Sequence, residues 1–389
     1  MKSRRFILSI IVFAQFCCTS IWFASNAVMG DLISTFNLTS NALGHLTSAV
    51  QFGFISGTLT LALLMISDRF SPSKVFCISA IFAALFNASL ILEFNSIWSL
   101  VTLRFLAGFS LAGIYPVGMK IAADYFPKTL GLALGFLVGA LVLGTSFPHL
   151  LKGASIGLSW TQTVIGTSFL SLLGGVLMIA LIKDGPYRKA GKKLDLKAFF
   201  KVFENKSFKS AAFGYFGHMW ELYAFWAFVP VIVSFGLHDK EVSNLALLSF
   251  FIIAIGCIAC VIGGYLSQKR GTAKIAFYSL SLSALCCLLC PIVLTYFPFT
   301  IRILFLLLWG MFVIADSPLF STMVASNADA EIKGTALTIV NCLGFAITII
   351  SIQILTYLNQ TYDSPYVFLI LIVGPIIGLW TIRKPITIN

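Results

Sequence analysis

Five charged residues lie inside apolar runs long enough to cross a membrane: Arg104, Lys120, Glu221, Arg302 and Asp316. A charge at a bilayer centre costs at least about 2.5 kcal/mol on insertion scales, so each needs a chemical reason. Glu221 stands ten residues into its run. At about 1.5 Å per residue that is roughly 15 Å deep, close to the midplane. His218, three residues earlier, shares its helix face. A carboxylate beside an imidazole, which titrates near neutrality, is a candidate proton-binding pair; the alternative is a structural lock between helices. Arg104 lies some 10 Å below the outer surface on the same rise. Its planar, permanent cation suits a carboxylate or oxyanion substrate; the alternatives are an ion pair with Glu221 or a helix-capping role. Asp316, followed by Ser317 and Pro318, is placed to carry protons or to neutralise Lys120. Lys120 and Arg302 stand near the ends of their runs, where long side chains snorkel to the interface. Tyr115 and Tyr223, with Trp22, Trp220 and Trp226, are candidates for a cavity wall, and Gln15 and Asn26 are further polar candidates in the first run.

Composition says what surrounds these residues. The chain has 389 residues, 59% hydrophobic and 10% charged, against roughly 25% charged in soluble domains. No water-soluble fold hides that much apolar surface, so this is an integral membrane protein. The formal charge of +12 does not point to nucleic acid, because the basic residues fall in loops between apolar spans and read as topology signals. Most of the nine cysteines sit in apolar runs. Cys257 with Cys260 and Cys287 with Cys290 have metal-like spacing, but no histidine or carboxylate accompanies them nearby, so they read as small packing thiols. No disulfide framework, metal or cofactor is expected.

The charges divide the chain into twelve spans, at about 6–29, 45–67, 75–94, 97–123, 130–150, 160–182, 211–236, 244–267, 275–296, 300–325, 334–358 and 366–382. Each has the roughly 17 to 25 residues that a crossing needs. Arg4 and Arg5 precede an apolar stretch too long for a cleaved signal, which reads as an uncleaved first helix. Between spans 6 and 7 lies the one long polar segment, 183–210, with nine basic residues against Asp184, Asp195 and Glu204. It divides an N-terminal six-helix bundle, 1–182, from a C-terminal one, 211–389. Within it, 194–203 reads as a short amphipathic helix on the membrane surface or as plain solvated linker. Twenty-one of the 26 Lys and Arg residues fall in segments on the side of the N-terminus, which places both termini in the cytoplasm.

The halves repeat weakly at an offset near 200. Ser67-Asp68-Arg69-Phe70-Ser71-Pro72-Ser73-Lys74 follows span 2, and Gly264-Tyr265-Leu266-Ser267-Gln268-Lys269-Arg270-Gly271 ends span 8. Gly131-Leu132-Ala133-Leu134 is echoed by Gly334-Thr335-Ala336-Leu337, and Arg104 by Arg302. With these features the chain resembles the major facilitator superfamily over essentially its whole length. That family's loop motif has the form G-x-L-a-D-r-x-G-r-k. The first copy keeps Asp68, Arg69 and a basic Lys74, but has Leu64 and Ser71 for the glycines. The second keeps Gly264, Leu266, Lys269 and Gly271, but has Gln268 for the acid. Arg104-x-x-x-Gly108 matches the family's helix 4 motif. The stretches Gly113–Lys120 and Gly217–Tyr223 resemble a bacterial branch near the cyanate- and nitrate-type permeases.

The resemblance implies an all-α polytopic membrane protein, with twelve transmembrane helices as two pseudo-symmetric six-helix bundles. It implies that Asp68 faces the N-terminus of helix 11, that a basic partner pairs with Asp124, and that helices 1, 4, 7 and 10 line the cavity. All five in-span charges fall on those helices. Helix 5 has Gly131, Gly135, Gly139 and Gly144 but no Gly-Pro, which weakens a drug/proton antiport reading. The expected function is secondary active transport of a small anionic or zwitterionic solute by alternating access, coupled to protons, with import favoured. The expected protein is a monomer in the bacterial inner membrane, its partners the solute, the proton and the lipid bilayer. One rival is proton-driven efflux of drugs or metabolites. A rival of another class is a polytopic membrane enzyme, for which His45, His149 and His238 have no partner spacing.

Overall fold

Apolar runs of this length fold as helices in a bilayer because every backbone polar group must find its partner inside the segment. A computed structural model of the chain describes residues 4–154, 159–188, 203–235, 244–328 and 333–382. Among these, eleven helices are long and apolar enough to cross a membrane. They are α2 (Ala42–Leu63), α3 (Pro72–Ile91), α4 (Ile97–Tyr125), α5 (Leu130–Ala154), α6 (Trp160–Leu181), α7 (Lys206–Ser234), α8 (Leu245–Arg270), α9 (Thr272–Tyr296), α10 (Phe299–Ser326), α11 (Gly334–Thr361) and α12 (Pro365–Ile382). The seventh helix starts five positions before the start expected at 211. Most of the surface helix anticipated over 194–203 lies outside the described residues.

The first span departs from the expected continuous helix. It consists of α1 (Arg4–Thr19), a break, and two short pieces, Ala24–Ala27 and Met29–Phe36. At the break, side chains turn back on the backbone. Thr19 Oγ1 donates to the Gln15 carbonyl at 2.8 Å and Ser20 Oγ to the Cys17 carbonyl at 2.7 Å; such back-bonding bends helices. Beyond it the backbone tightens into i to i−3 bonds, Trp22 N–H to the Thr19 carbonyl and Ala24 N–H to the Ile21 carbonyl.

The chain divides into two compact units, Met1–Lys193 and Leu194–Asn389. In the first, α2 packs on α4, α3 on α4 and α6, and α1 on α5 and α6. In the second, α8 packs on α10, α9 on α10 and α12, and α7 on α11 and α12. Each pairing in the first unit thus recurs six helices later. Two glycines make equivalent close approaches in the two units. A Cβ on Gly108 of α4 would lie 2.0 Å from the Val50 carbonyl oxygen of α2, and one on Gly310 of α10 would lie 2.0 Å from the Ile252 oxygen of α8. Only glycine lets these backbones meet.

Helices α4 and α10 are both interrupted. α4 breaks between Leu111 and Tyr115, with Pro116 opening its second half; α10 breaks at Asp316, with Pro318 in the same role. Proline lacks an N–H and its ring clashes with the carbonyl four residues back. Outward faces are apolar: Ile78, Ile81, Phe82 and Leu85 form an exposed stripe along α3, the i, i+3, i+4, i+7 spacing of one helix face.

Candidate functional site

Helix α7 is the most enclosed span, with 78% of its most apolar window buried. It carries His218 and Glu221, each about 1% exposed. The structure does not join them to each other. Glu221 Oε1 accepts from Ser283 Oγ at 2.6 Å and Cys287 Sγ at 3.2 Å, both on α9, and from Trp309 Nε1 at 2.6 Å on α10. His218 instead meets Asp316, its Nδ1 standing 2.8 Å from Oδ1. Residues 218 and 221 are about 300° apart around a 3.6-residue turn. That 60° divergence sends one toward the α10 break and the other toward α9.

The two nodes differ in kind. Glu221 is saturated at one oxygen, as a lock between three helices would be. His218 and Asp316 are at ion-pair distance, but out of line for a hydrogen bond. Among the described residues neither imidazole nitrogen and neither carboxylate oxygen has a hydrogen-bond partner. Asp316 is fully buried, and its own carbonyl is taken by the N–H groups of Leu319 and Phe320 as the helix restarts. Its side chain caps nothing. Tyr215 and Phe320 flank the imidazole, each with a ring centroid 6.1 Å away. Tyr215 Oη donates to Asn341 Oδ1 of α11 at 2.8 Å. Leaving a buried polar group unsatisfied costs roughly 1–3 kcal/mol, so a purely structural pair would be expected to align.

In the first unit Arg104 is 1% exposed and faces the chain's own backbone. NH1 donates to the Ile21 carbonyl at 3.2 Å and to Asn87 Oδ1 at 3.4 Å, and NH2 donates to the Trp22 carbonyl. The guanidinium thus donates to carbonyls at the break in the first span, the capping alternative rather than a partnership with Glu221. Asn87 of α3, which the sequence reading passed over, carries the arrangement further. Its Nδ2 donates to the Val164 carbonyl, Thr167 Oγ1 and Ser168 Oγ of α6 at 2.9–3.1 Å. A lone asparagine in an apolar run was the signal that could have found it.

The remaining candidates scatter. Asn26 Nδ2 donates to Thr47 Oγ1 at 2.9 Å, tying the first span to α2. Gln15 is fully buried against Gly118 of α4, and among the described residues neither of its amide atoms has a hydrogen-bond partner. Tyr223 packs on Trp226 and Phe345, with centroids at 5.4 and 5.1 Å. Tyr115 is half-buried at the α4 break. Arg302 is used at a helix end. Its Nε donates to the Phe297 carbonyl at 2.8 Å and NH1 to the Phe235 carbonyl, just past α7, at 3.1 Å.

Two charge pairings differ from expectation. Lys120 does not snorkel freely and is not neutralised by Asp316; it forms an ion pair with Asp68. Asp124 has no ion pair among the described residues, and its Oδ2 lacks a hydrogen-bond partner. Arg69 and Lys74 are exposed. In the second copy Lys269 Nζ lies 4.6 Å from the Tyr265 ring centroid, and Gly264 has open space beside it. Gly271 turns the chain between α8 and α9 at φ +89°, where a side chain would be strained.

Two units repeating one packing scheme, with apolar outer faces and with Arg104, Glu221 and Asp316 buried inside them, define a duplicated multi-pass membrane protein. The chain belongs to the Major Facilitator Superfamily, whose model matches residues 11–352. It is 26% identical over 210 residues to the galacturonate transporter of Dickeya chrysanthemi, covering 48% of this chain and 59% of that one. It is 27% identical over 261 residues to the agnestins efflux protein AgnL12 of Paecilomyces divaricatus, covering 63% and 55%. The chain thus spans little more than half the length of these curated relatives. The proton:xylose symporter XylE bound to 6-bromo-6-deoxy-D-glucose has the same fold, with a TM-score of 0.74 at 13% identity over 98% of this chain and 96% of that one. Family membership decides against the polytopic-enzyme reading.

Proposed function

We propose that this chain is a secondary active transporter that moves a small anionic solute of the sugar-acid class by alternating access, coupled to protons. The observation that carries the coupling is the buried, misaligned contact between His218 and Asp316. A carboxylate and an imidazole at 2.8 Å can share or exchange one proton, and a site with no competing hydrogen bonds responds to small movements of the α10 break. Glu221 supports the site by fixing α7 against α9 and α10. The sugar-acid class rests on the galacturonate relative, since Arg104 is engaged with backbone carbonyls. The direction we propose is import into the cytoplasm. The basic bias places both termini in the cytoplasm, and the family's usual form is a monomer, here in a bacterial inner membrane.

The test is uptake of radiolabelled galacturonate by purified protein in liposomes. Under an inward proton gradient, accumulation above equilibrium that a protonophore abolishes supports the reading. Solute exchange that ignores the gradient removes the proton coupling. No uptake of any sugar acid, with gradient-driven movement of lipophilic compounds, would establish efflux, the reading that the agnestins relative favours.

A further inference from the structure

Residues 183–188, just after α6, are not a free linker. Lys183, Asp184, Gly185, Tyr187 and Arg188 are tied to two other parts of the first unit. One is the loop between α2 and α3. Arg188 NH2 donates to the carbonyls of Asp68 at 2.9 Å and Phe70 at 2.8 Å, while NH1 pairs with Asp184. Asp184 in turn accepts from Ser71 Oγ at 2.6 Å. The other is the end of α4. Tyr125 Oη donates to the Lys183 carbonyl at 2.7 Å, Tyr187 N–H donates to the Asp124 carbonyl at 3.1 Å, and a Cβ on Gly185 would stand 2.6 Å from Asp124.

We propose that residues 183–188 form a clasp, and that Arg188 is a positioning residue holding the α2–α3 loop where Asp68 meets Lys120. The loop needs such support. Two residues past the end of α2 the backbone is left-handed, Met65 at φ +53°, which is uncommon for a side chain of this type. Arg188 supplies its planar fork to two carbonyls of that loop, those of Asp68 and Phe70, and to Asp184 at once, which the point charge of a lysine does not reproduce. Ser71 stands where the family's loop motif has its second glycine, and its hydroxyl is the atom that engages the clasp. The departure from the motif and the clasp are therefore one feature. The start of the linker between the units is bonded to the loop that carries the Asp68–Lys120 pair, so a pull on that linker acts on the loop.

The experiment measures the labelling rate of a single added cysteine, Phe70→Cys, by a hydrophilic maleimide on the full chain in detergent. Background from the native thiols is subtracted using the chain without the added cysteine. Phe70 is 57% exposed, and Phe94, at 81%, provides a control as Phe94→Cys at the opposite end of α3. Arg188→Ala and, independently, Asp184→Asn are expected to change the rate at Phe70→Cys by about tenfold, the effect of losing charge-assisted hydrogen bonds. Arg188→Lys should fall between. Lys120→Ala, which removes the ion pair but leaves the clasp, should change it little. An unchanged rate in Arg188→Ala and Asp184→Asn overturns the proposal. So does an equal rise at Phe94→Cys, which would make Arg188 a support of the whole unit. No outcome depends on what the protein transports.

Discussion

Gly310 follows Gly108 by 202 positions and makes the same contact. A Cβ on either would lie 2.0 Å from a carbonyl oxygen, that of Ile252 or of Val50, and those two residues are also 202 apart. Pro318 stands 202 after Pro116 in the same way, each opening the second half of a broken helix. The duplication is therefore a property of backbone packing, held by the smallest residue and by the one that cannot donate.

If so, Gly108→Ala and Gly310→Ala should be equally harmful. At 2.0 Å the opposing atom is backbone and cannot rotate away, so α2 and α4, or α8 and α10, must separate. Overpacking of this kind costs about 1–3 kcal/mol or more. Thermal melting of the detergent-solubilised protein should drop for both variants. A neutral result at either position would show that its helix pair is not as close as described.

Arg104→Ala should destabilise the fold before it affects any ligand. It removes the buried charged donor that the carbonyls of Ile21 and Trp22 share, and a hydrogen bond to a charged group contributes about 1.5–3 kcal/mol. Melting with and without galacturonate separates the two roles. A large drop in both conditions supports the capping role, whereas an unchanged melt with loss of ligand response would make Arg104 part of the binding site.

Asp316→Asn and His218→Gln should uncouple transport while leaving exchange. Each removes one partner of the proton-sharing contact and keeps the side chain's size. In liposomes, counterflow should persist and gradient-driven accumulation should vanish. Full accumulation in Asp316→Asn would eliminate this pair as the coupling site.

Glu221→Gln and Glu221→Ala should part company. Glutamine keeps an oxygen for Trp309, Ser283 and Cys287, whereas alanine leaves the indole N–H buried with no acceptor, costing about 1–3 kcal/mol. The melt should fall much further for alanine, and fluorescence should report a changed environment at Trp309. Abolished gradient-driven accumulation in a stable Glu221→Gln protein would return the proton role to Glu221.

Much of this molecule was readable along the chain because a bilayer turns composition directly into structure. A run of apolar residues between charges is a span whatever its neighbours, and a glycine or proline marks its own effect on the backbone. Hence eleven of the twelve expected spans appear, among the described residues, as helical stretches long and apolar enough to cross a membrane, and the weak repeat near 200 sharpens to 202. The first span instead breaks after Thr19, where Arg104 of α4 donates to the carbonyls of Ile21 and Trp22.

Partnership is what only the tertiary structure decided. His218 and Glu221 look like a pair at a spacing of three, yet 60° of divergence around α7 gives one to Asp316 and the other to Trp309. Lys120 meets Asp68 because α4 ends beside the α2–α3 loop, and Arg188 reaches that same loop from 118 positions beyond Phe70. Such contacts depend on helix rotation and on which helix stands adjacent. Both are set by close packing of the whole unit, and no local spacing encodes them.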